Sequence, residues 1–466
     1  MSELTAGQKL NEELTFSKKN VYELSDEEKT ATIMSYAEGY KKFLDAAKTE
    51  RESVKEAIKM AEANGYSEYC FGDLLKVGDK KYFNNRNKSI YLFRIGKNDI
   101  ECDGIRIAAA HVDSPRLDIK QNPLYEDSGM SFLKTHYYGG IKKYQWTTIP
   151  LALHGVVVKK NGEIVDICIG EDDSDPVFYI NDLLPHLASE QSSKPLGTAI
   201  PGESLNILLG GLPFNDEKVD AKIKLNVLKI LNEKYGITEE DFISAELSAV
   251  PAFKARDIGF DRAFVGAYGH DDRVCAYPIL SALFECETDD RTIISILADK
   301  EETGSEGNTG IKSYVLLDII DEISHSLGAD PVRVRSNSKC LSADVNAAYD
   351  PNFAEVYEKR NSAMISCGTT MSKYTGARGK SGTNDASAEY VGFIRKLFAD
   401  NNVQWQTSEL GKVDGGGGGT VAMHISKLNI DTVDLGVPVI SMHAPYEVIS
   451  KADLYTTHEA MLAFFK

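Results

Sequence analysis

A chain of 466 residues that is 42% hydrophobic and 26% charged is long enough for two or three domains with a large core, and too apolar to remain disordered. Its formal net charge of −18, with no basic patch, excludes nucleic acid and anionic membranes as partners. The seven cysteines are scattered without a Cys-x-x-Cys pair, no apolar run approaches the roughly 20 residues of a membrane span, and Met1 to Thr5 lack a signal-peptide pattern, so a cytoplasmic location is expected.

After a polar leader, Ser25 and Glu28 form a capping-box pattern ahead of Ile33, Tyr36, Tyr40 and Phe43 at helical spacing. Thr49 with Glu52 starts a second helix that runs toward Gly65. Tyr82 to Gly96 resemble a hairpin turning at Asn84 to Asn87. The run Ile105 to Ala110 reads as a strand buried on both faces, ending in His111-Val112-Asp113-Ser114-Pro115. His111 and Asp113 share a face in extended backbone, where a carboxylate can orient a ligating imidazole. A histidine simply hydrogen-bonded in a loop is commoner, but a strand end is where α/β sheets bind ligands.

From about residue 122 the texture changes. Ile149 to Lys159 and Ile164 to Ile169 flank Asn161-Gly162, a strong hairpin signal, and a Gly-rich segment from Gly202 to Pro213 and a Lys-rich one from Lys218 to Lys234 follow without βαβ rhythm. Residues 122–255 are therefore predicted to be a strand-rich domain inserted into a first domain formed by residues 1–121 and 256–466.

The α/β rhythm resumes at Phe264 to Ala267, and His270-Asp271-Asp272-Arg273 then opens a helix with the stripe Val274, Tyr277, Leu280, Leu283 and Phe284. Carboxylates there can merely favour the helix dipole, a reading that suits Asp272 better than Asp271. Ile293 to Ala298 reads as a buried strand delivering Asp299-Lys300-Glu301-Glu302-Thr303-Gly304. Doublets such as Glu27-Glu28 and Asp289-Asp290 recur among 70 acidic residues, so Glu301-Glu302 gains meaning only from its strand-end placement. One member can hold a metal while the other moves a proton. A helix is predicted from about Gly310 to Ser326. Cys340 to Val345 sets Asp344 in a small, apolar strand, where a carboxylate needs a partner such as a metal. The glycines from Gly415 to Gly419 lack the lysine and helix of a phosphate loop and read as a close backbone approach to a small ligand. A last strand, Thr432 to Ile440, delivers His443, and Ser450 with Asp453 caps a terminal helix in which His458 reads as structural.

Collected, the strand ends offer His111, Asp113, Asp271, Glu301, Glu302, Asp344 and His443. Imidazoles and carboxylates without a thiolate suit two divalent ions, zinc first, with cobalt or manganese also compatible. One carboxylate must bridge if each ion is to have three protein ligands. Such a pair activates a bridging hydroxide and polarises a carbonyl, and needs a free carboxylate as base, which describes a hydrolase.

The blocks His111-Val112-Asp113-Ser114-Pro115, His270-Asp271-Asp272-Arg273, Asp299-Lys300-Glu301-Glu302-Thr303-Gly304-Ser305, Ser342-Ala343-Asp344-Val345 and Met442-His443 resemble, in order, those of the aspartyl aminopeptidase family, which includes vacuolar aminopeptidase I. The resemblance implies an α/β fold, with a three-layer metallo-aminopeptidase catalytic domain and an inserted β-rich dimerisation domain. It implies removal of N-terminal residues, acidic ones among them, from peptides by dimers that assemble into a dodecamer. In the family's roles Asp271 bridges the ions, Glu302 and His443 complete one, and His111 and Asp344 the other. Glu301 is the general base and Asp113 orients His111. A histidine from the neighbouring subunit stabilises the tetrahedral intermediate; His186 is the candidate, with His154 as the alternative. Lys380 lies in a segment, Lys373 to Lys380, that resembles the acidic-side-chain recognition segment with a shift, and is the candidate substrate contact. This chain has Asp350-Pro351-Asn352 where eukaryotic aspartyl enzymes have His before Pro-Asn. Glutamyl aminopeptidases and acyl-amino-acid amidohydrolases share the ligand order and form the alternative reading. A non-catalytic scaffold would not need all of these side chains intact.

Overall fold

A computed structural model describes residues 4–466. The chain folds around a nine-stranded sheet in the order Ser67–Glu68, Lys80–Asn85, Ser89–Arg94, Ile293–Ala298, Arg106–His111, Lys339–Ser342, Asp431–Gly436, Thr369–Ser372 and Trp405–Thr407. Its middle is parallel: Arg106–His111 pairs with Ile293–Ala298 on one side and Lys339–Ser342 on the other, and Lys339–Ser342 pairs with Asp431–Gly436. Alternate side chains point to opposite faces of a strand. Ile107, Ala109, Ile294 and Ile296 thus join one core with the helix Val315–Leu327, while Ala108, Ala110, Ile293 and Leu297 join another with the helices His270–Glu285 and Lys451–Phe465. Burial on both faces explains why these strands read as continuous apolar runs.

A second sheet, of seven antiparallel strands, runs Ile164–Ile169, Leu151–Val158, Ala245–Pro251, Arg116–Asp127, Met130–Tyr138, Ile207–Gly210 and Tyr179–Ile180. It has its own core, built on Trp146, Leu153, Ile180 and Phe242. Its first strand starts at Arg116, so a boundary at residue 122 falls inside a strand. The Lys-rich stretch forms the helix Lys222–Tyr235, with Val227, Leu228 and Leu231 against this core.

A third sheet joins Arg256–Ile258, Phe264–Ala267, Glu447–Ser450, Pro438–Ile440 and Asn346–Ala347. The run expected as one strand from Thr432 to Ile440 divides between the first and third sheets after Gly436, where a side chain would collide with the Asp344 carbonyl. Local signals were met unevenly. Thr49 and Glu52 form the full capping box. Asp26, not Ser25, caps the first long helix by accepting from the Lys29 N–H, because the Ser25 hydroxyl donates back to the Val21 carbonyl. The helix expected from Gly310 begins at Val315. Ser450 caps the last helix, but the Asp453 carboxylate accepts the N–H groups of Ser366 and Gly368 instead of completing a box. Among the described residues no helix is long and apolar enough to cross a membrane.

Candidate metal centre

The central parallel strands end side by side. His111 closes one and pairs in register with Ala298, so the segment after Ala298 emerges beside it. Lys300 (φ 66°) and Gly304 (φ 94°) adopt left-handed conformations that bracket a single 3₁₀ turn, Glu301–Thr303, and fold the doublet back over the strand ends. On the other flank Asp344 follows the strand Lys339–Ser342. Asp271 and His443 come from the third sheet, one in the first turn of the helix His270–Glu285, the other just beyond Pro438–Ile440. The centre occupies the seam between two sheets, at the carboxyl ends of the strands.

Asp271 stands in the middle. One of its oxygens lies 3.1 Å from His111 Nε2 and the other 3.2 Å from His443 Nε2. His111 Nε2 is also 3.9 Å from both Glu301 Oε2 and Asp344 Oδ1, and His443 Nε2 is 3.4 Å from Glu302 Oε1. Ligand atoms of His111, Glu301 and Asp344 fall within 4.8 Å of one another, as do those of His111, Asp271 and Glu302. Asp271 Oδ1 and Glu302 Oε1 are buried without a hydrogen-bond partner. Such groups are costly unless something compensates them. A convergent set of imidazole nitrogens and carboxylate oxygens with orphaned atoms fits divalent cations.

The surroundings aim these side chains. The His111 Nδ1 hydrogen goes to the Asp113 carbonyl at 2.9 Å, with the Asp113 carboxylate 3.2 Å away, which leaves Nε2 for the centre. The buried Asp113 carboxylate also accepts the N–H of Glu301 at 3.1 Å, that of Glu302 at 3.2 Å and the Tyr138 hydroxyl at 2.7 Å. Burial alone would raise this carboxyl, but the His111 and Tyr138 hydrogen bonds outweigh it and hold it below its usual value. His443 donates from Nδ1 to the Gly140 carbonyl at 2.8 Å. The preceding Gly139 (φ 72°) packs so near that a Cβ would come within 3.2 Å of Glu302 Oε2.

One partner, Glu447, left no mark in the sequence. Glu447, 1% exposed, accepts the His443 N–H at 2.6 Å on one oxygen and the Asp271 N–H at 3.1 Å on the other. Asp272 accepts the His111 N–H at 3.3 Å, and Ser114, itself held by Arg273, donates to the Asp271 carbonyl at 2.6 Å. Burial, against the pull of His111, pushes the Glu301 carboxyl up to about 7, and burial with the charge of Asp271 pushes Glu447 up to about 8.

Three expected residues lie outside the cluster. His186 is exposed in the 3₁₀ turn Pro185–Leu187 of the antiparallel unit. Lys380 pairs with Asp385 at 3.0 Å and lies 3.7 Å from the Tyr374 ring centre, in a cleft of about 220 Å³ lined also by Lys412, Gly416 and Gly417. His154 is buried between Glu52 and Glu171 of its own chain. His458 is held by Ser281 and Glu285, a structural setting.

Comparison with known proteins bears on this geometry. Residues 43–465 match the family described as Aminopeptidase I zinc metalloprotease (M18). A probable M18 family aminopeptidase 1 of Clostridium acetobutylicum is 51% identical over 454 residues, covering 96% of this chain and 97% of its own. The crystal structure of an M18-family aminopeptidase from Thermotoga maritima superposes with a TM-score of 0.92 at 42% identity, over 97% of this chain and all of that one. The S. cerevisiae mApe1 dodecamer shares the fold at a TM-score of 0.75 and 22% identity, over 92% of this chain and 96% of that one.

Proposed function

The chain belongs to the M18 family of aminopeptidase I zinc metalloproteases, and from that premise we propose that it removes N-terminal residues from peptides with two divalent ions, zinc first, at the centre just described. The observation that carries the reading is Asp271, whose two oxygens face one histidine each. Asp271 would be shared by both ions, with His111 and Asp344 helping to hold one and His443 and Glu302 the other. When bound, such ions polarise the scissile carbonyl and make water a better nucleophile.

The remaining work belongs to side chains. Glu302 is 4% exposed and Glu301 18%, an asymmetry that supports a buried ligand beside an accessible base. Glu301 takes the proton of the attacking water and hands it to the leaving amine. Asp113 keeps that carboxylate in place through the doublet's own backbone.

The same reading assigns His186 to the centre of a neighbouring subunit, supported by its exposure, and Lys380 to an incoming acidic side chain, whose place Asp385 now takes. Dimers assembling into a dodecamer, the state of the distant mApe1 relative, are the proposed assembly, with the seven-stranded unit as dimerisation domain. All seven cysteines are free, in keeping with a cytoplasmic enzyme. The test is a panel of aminoacyl amides, acidic and neutral, against the matching N-acetyl amino acids. Cleavage of the free-amine compounds is expected; hydrolysis confined to the acylated ones would make the protein an amidohydrolase.

A further inference from the structure

A second cluster of ligating side chains lies at the junction of the antiparallel unit with the helix Glu50–Ala63. His154, in the strand Leu151–Val158, and Cys168, in Ile164–Ile169, are paired directly across their hairpin. Glu52 reaches them from the first turn of the helix, and ligand atoms of the three fall within 4.8 Å of one another. This trio belongs to neither group at the metal centre.

The surroundings are built as a ligating histidine requires. Such an imidazole usually gives its second N–H to a carboxylate, which fixes the ring and raises its basicity. Glu171 supplies that carboxylate at 3.1 Å from His154 Nε2, and is held there by Lys48 and Lys254, each at 2.6 Å. The other nitrogen, Nδ1, faces Glu52 Oε1 at 2.7 Å. Glu52 divides its duties: Oε2 accepts the N–H groups of Lys48 and Thr49 at 3.0 Å each as part of the helix cap, which leaves Oε1 for the imidazole side. Glu52 and Cys168 also line a cleft of about 480 Å³ that opens between helix and hairpin and gives an ion a path of entry.

We propose that His154 Nδ1, Glu52 Oε1 and Cys168 Sγ bind a divalent cation with thiolate affinity, zinc or cobalt, separate from the M18 centre. Binding releases the thiol proton of Cys168 and any proton shared between His154 and Glu52. The ion would pin the hairpin of the antiparallel sheet to the helix of the other unit.

A thiolate makes this site spectroscopically distinct, because the M18 centre offers only nitrogen and oxygen. Cobalt is added to the full-length protein and thiolate-to-cobalt charge-transfer absorption is read in the near ultraviolet, without reference to peptidase activity. The band is expected in the wild type and in Cys70→Ser and Cys102→Ser, the other exposed thiols. It should vanish in Cys168→Ser, together with about one bound ion per chain. Glu52→Gln should weaken cobalt binding at least about tenfold. Circular dichroism checks that Cys168→Ser, a change at an exposed side chain, stays folded. Absence of the band in the wild type, or its survival in Cys168→Ser, overturns the proposal. Neither result touches the peptidase reading, since no cysteine serves there.

Discussion

Asp113 and Glu447 hold the candidate metal centre mainly by its backbone, so their loss should loosen several of the proposed ligands together. Asp113 accepts the N–H groups of both Glu301 and Glu302, and Glu447 those of Asp271 and His443. Asp113→Ala and Glu447→Gln are each expected to weaken metal binding by about 10–100-fold, measured by competition with a chromogenic chelator. Affinity within twofold of wild type in either variant would remove that residue's positioning role. Glu301→Gln should behave differently. Turnover is expected to fall by about 10²–10⁴-fold with metal content retained. Parallel loss of metal would recast Glu301 as a ligand, and retained turnover would discard it as the base.

At the scale of elements, the last helix is tied into the catalytic unit by charge. Asp257 lies 2.8 Å from Lys41 and 2.9 Å from Lys451, and Lys451 is 1% exposed. Burial alone would raise the Asp257 carboxyl, but its hydrogen bonds to the two lysines outweigh that and hold it below its usual value. A carboxyl whose pKa is depressed on folding adds stability above its unfolded value of about 3.9, and that stability is lost as pH falls through the folded value. Asp257→Asn should therefore destabilise the fold near neutral pH, and its deficit in Tm should shrink as the pH is lowered toward 3. A constant deficit across that range would show that the charge is not the cause. The elements that meet here differ in how openly the sequence announced them. Ile293 to Ala298 and Ile105 to Ala110 stood out because burial on both faces allows no polar interruption. The cluster of imidazoles and carboxylates behind them was legible because parallel strands end on one side. The helix Lys222–Tyr235 was masked by exposed lysines that blur its stripe. Glu447 was hidden for another reason: it starts a four-residue strand, too short for a period, and acts on an N–H 176 residues away.

At the scale of the whole molecule, the buried Asp271 and the partly buried carboxylates Glu301, Glu302 and Asp344 converge with two imidazoles in one seam. If the proposed ions sit here, removing them should leave these charges opposed, so chelation is expected to abolish activity and lower Tm together, and zinc to restore both. Each ion present at a hundredfold excess over its Kd contributes about 3 kcal/mol to the folded state. Loss of metal with no change in Tm would mean that the seam does not need its cations to hold shape. The ligand-bearing strands could be recognised one by one, but their division between two sheets could not, because it turns on Gly436 and a steric approach to Asp344 that no local pattern records.

The path of the chain through Arg116 bears on how the molecule can be recombined. Tyr138 and Gly140, both within the antiparallel segment, supply the phenol against Asp113 and the carbonyl against His443. That segment is therefore no transplantable cassette, even though both of its ends join the rest of the chain. A chimera that borrows it from a relative inherits the aim of the His111 and His443 imidazoles along with the new surface. Compatible donors are those that present a phenol and a bare backbone carbonyl at these positions.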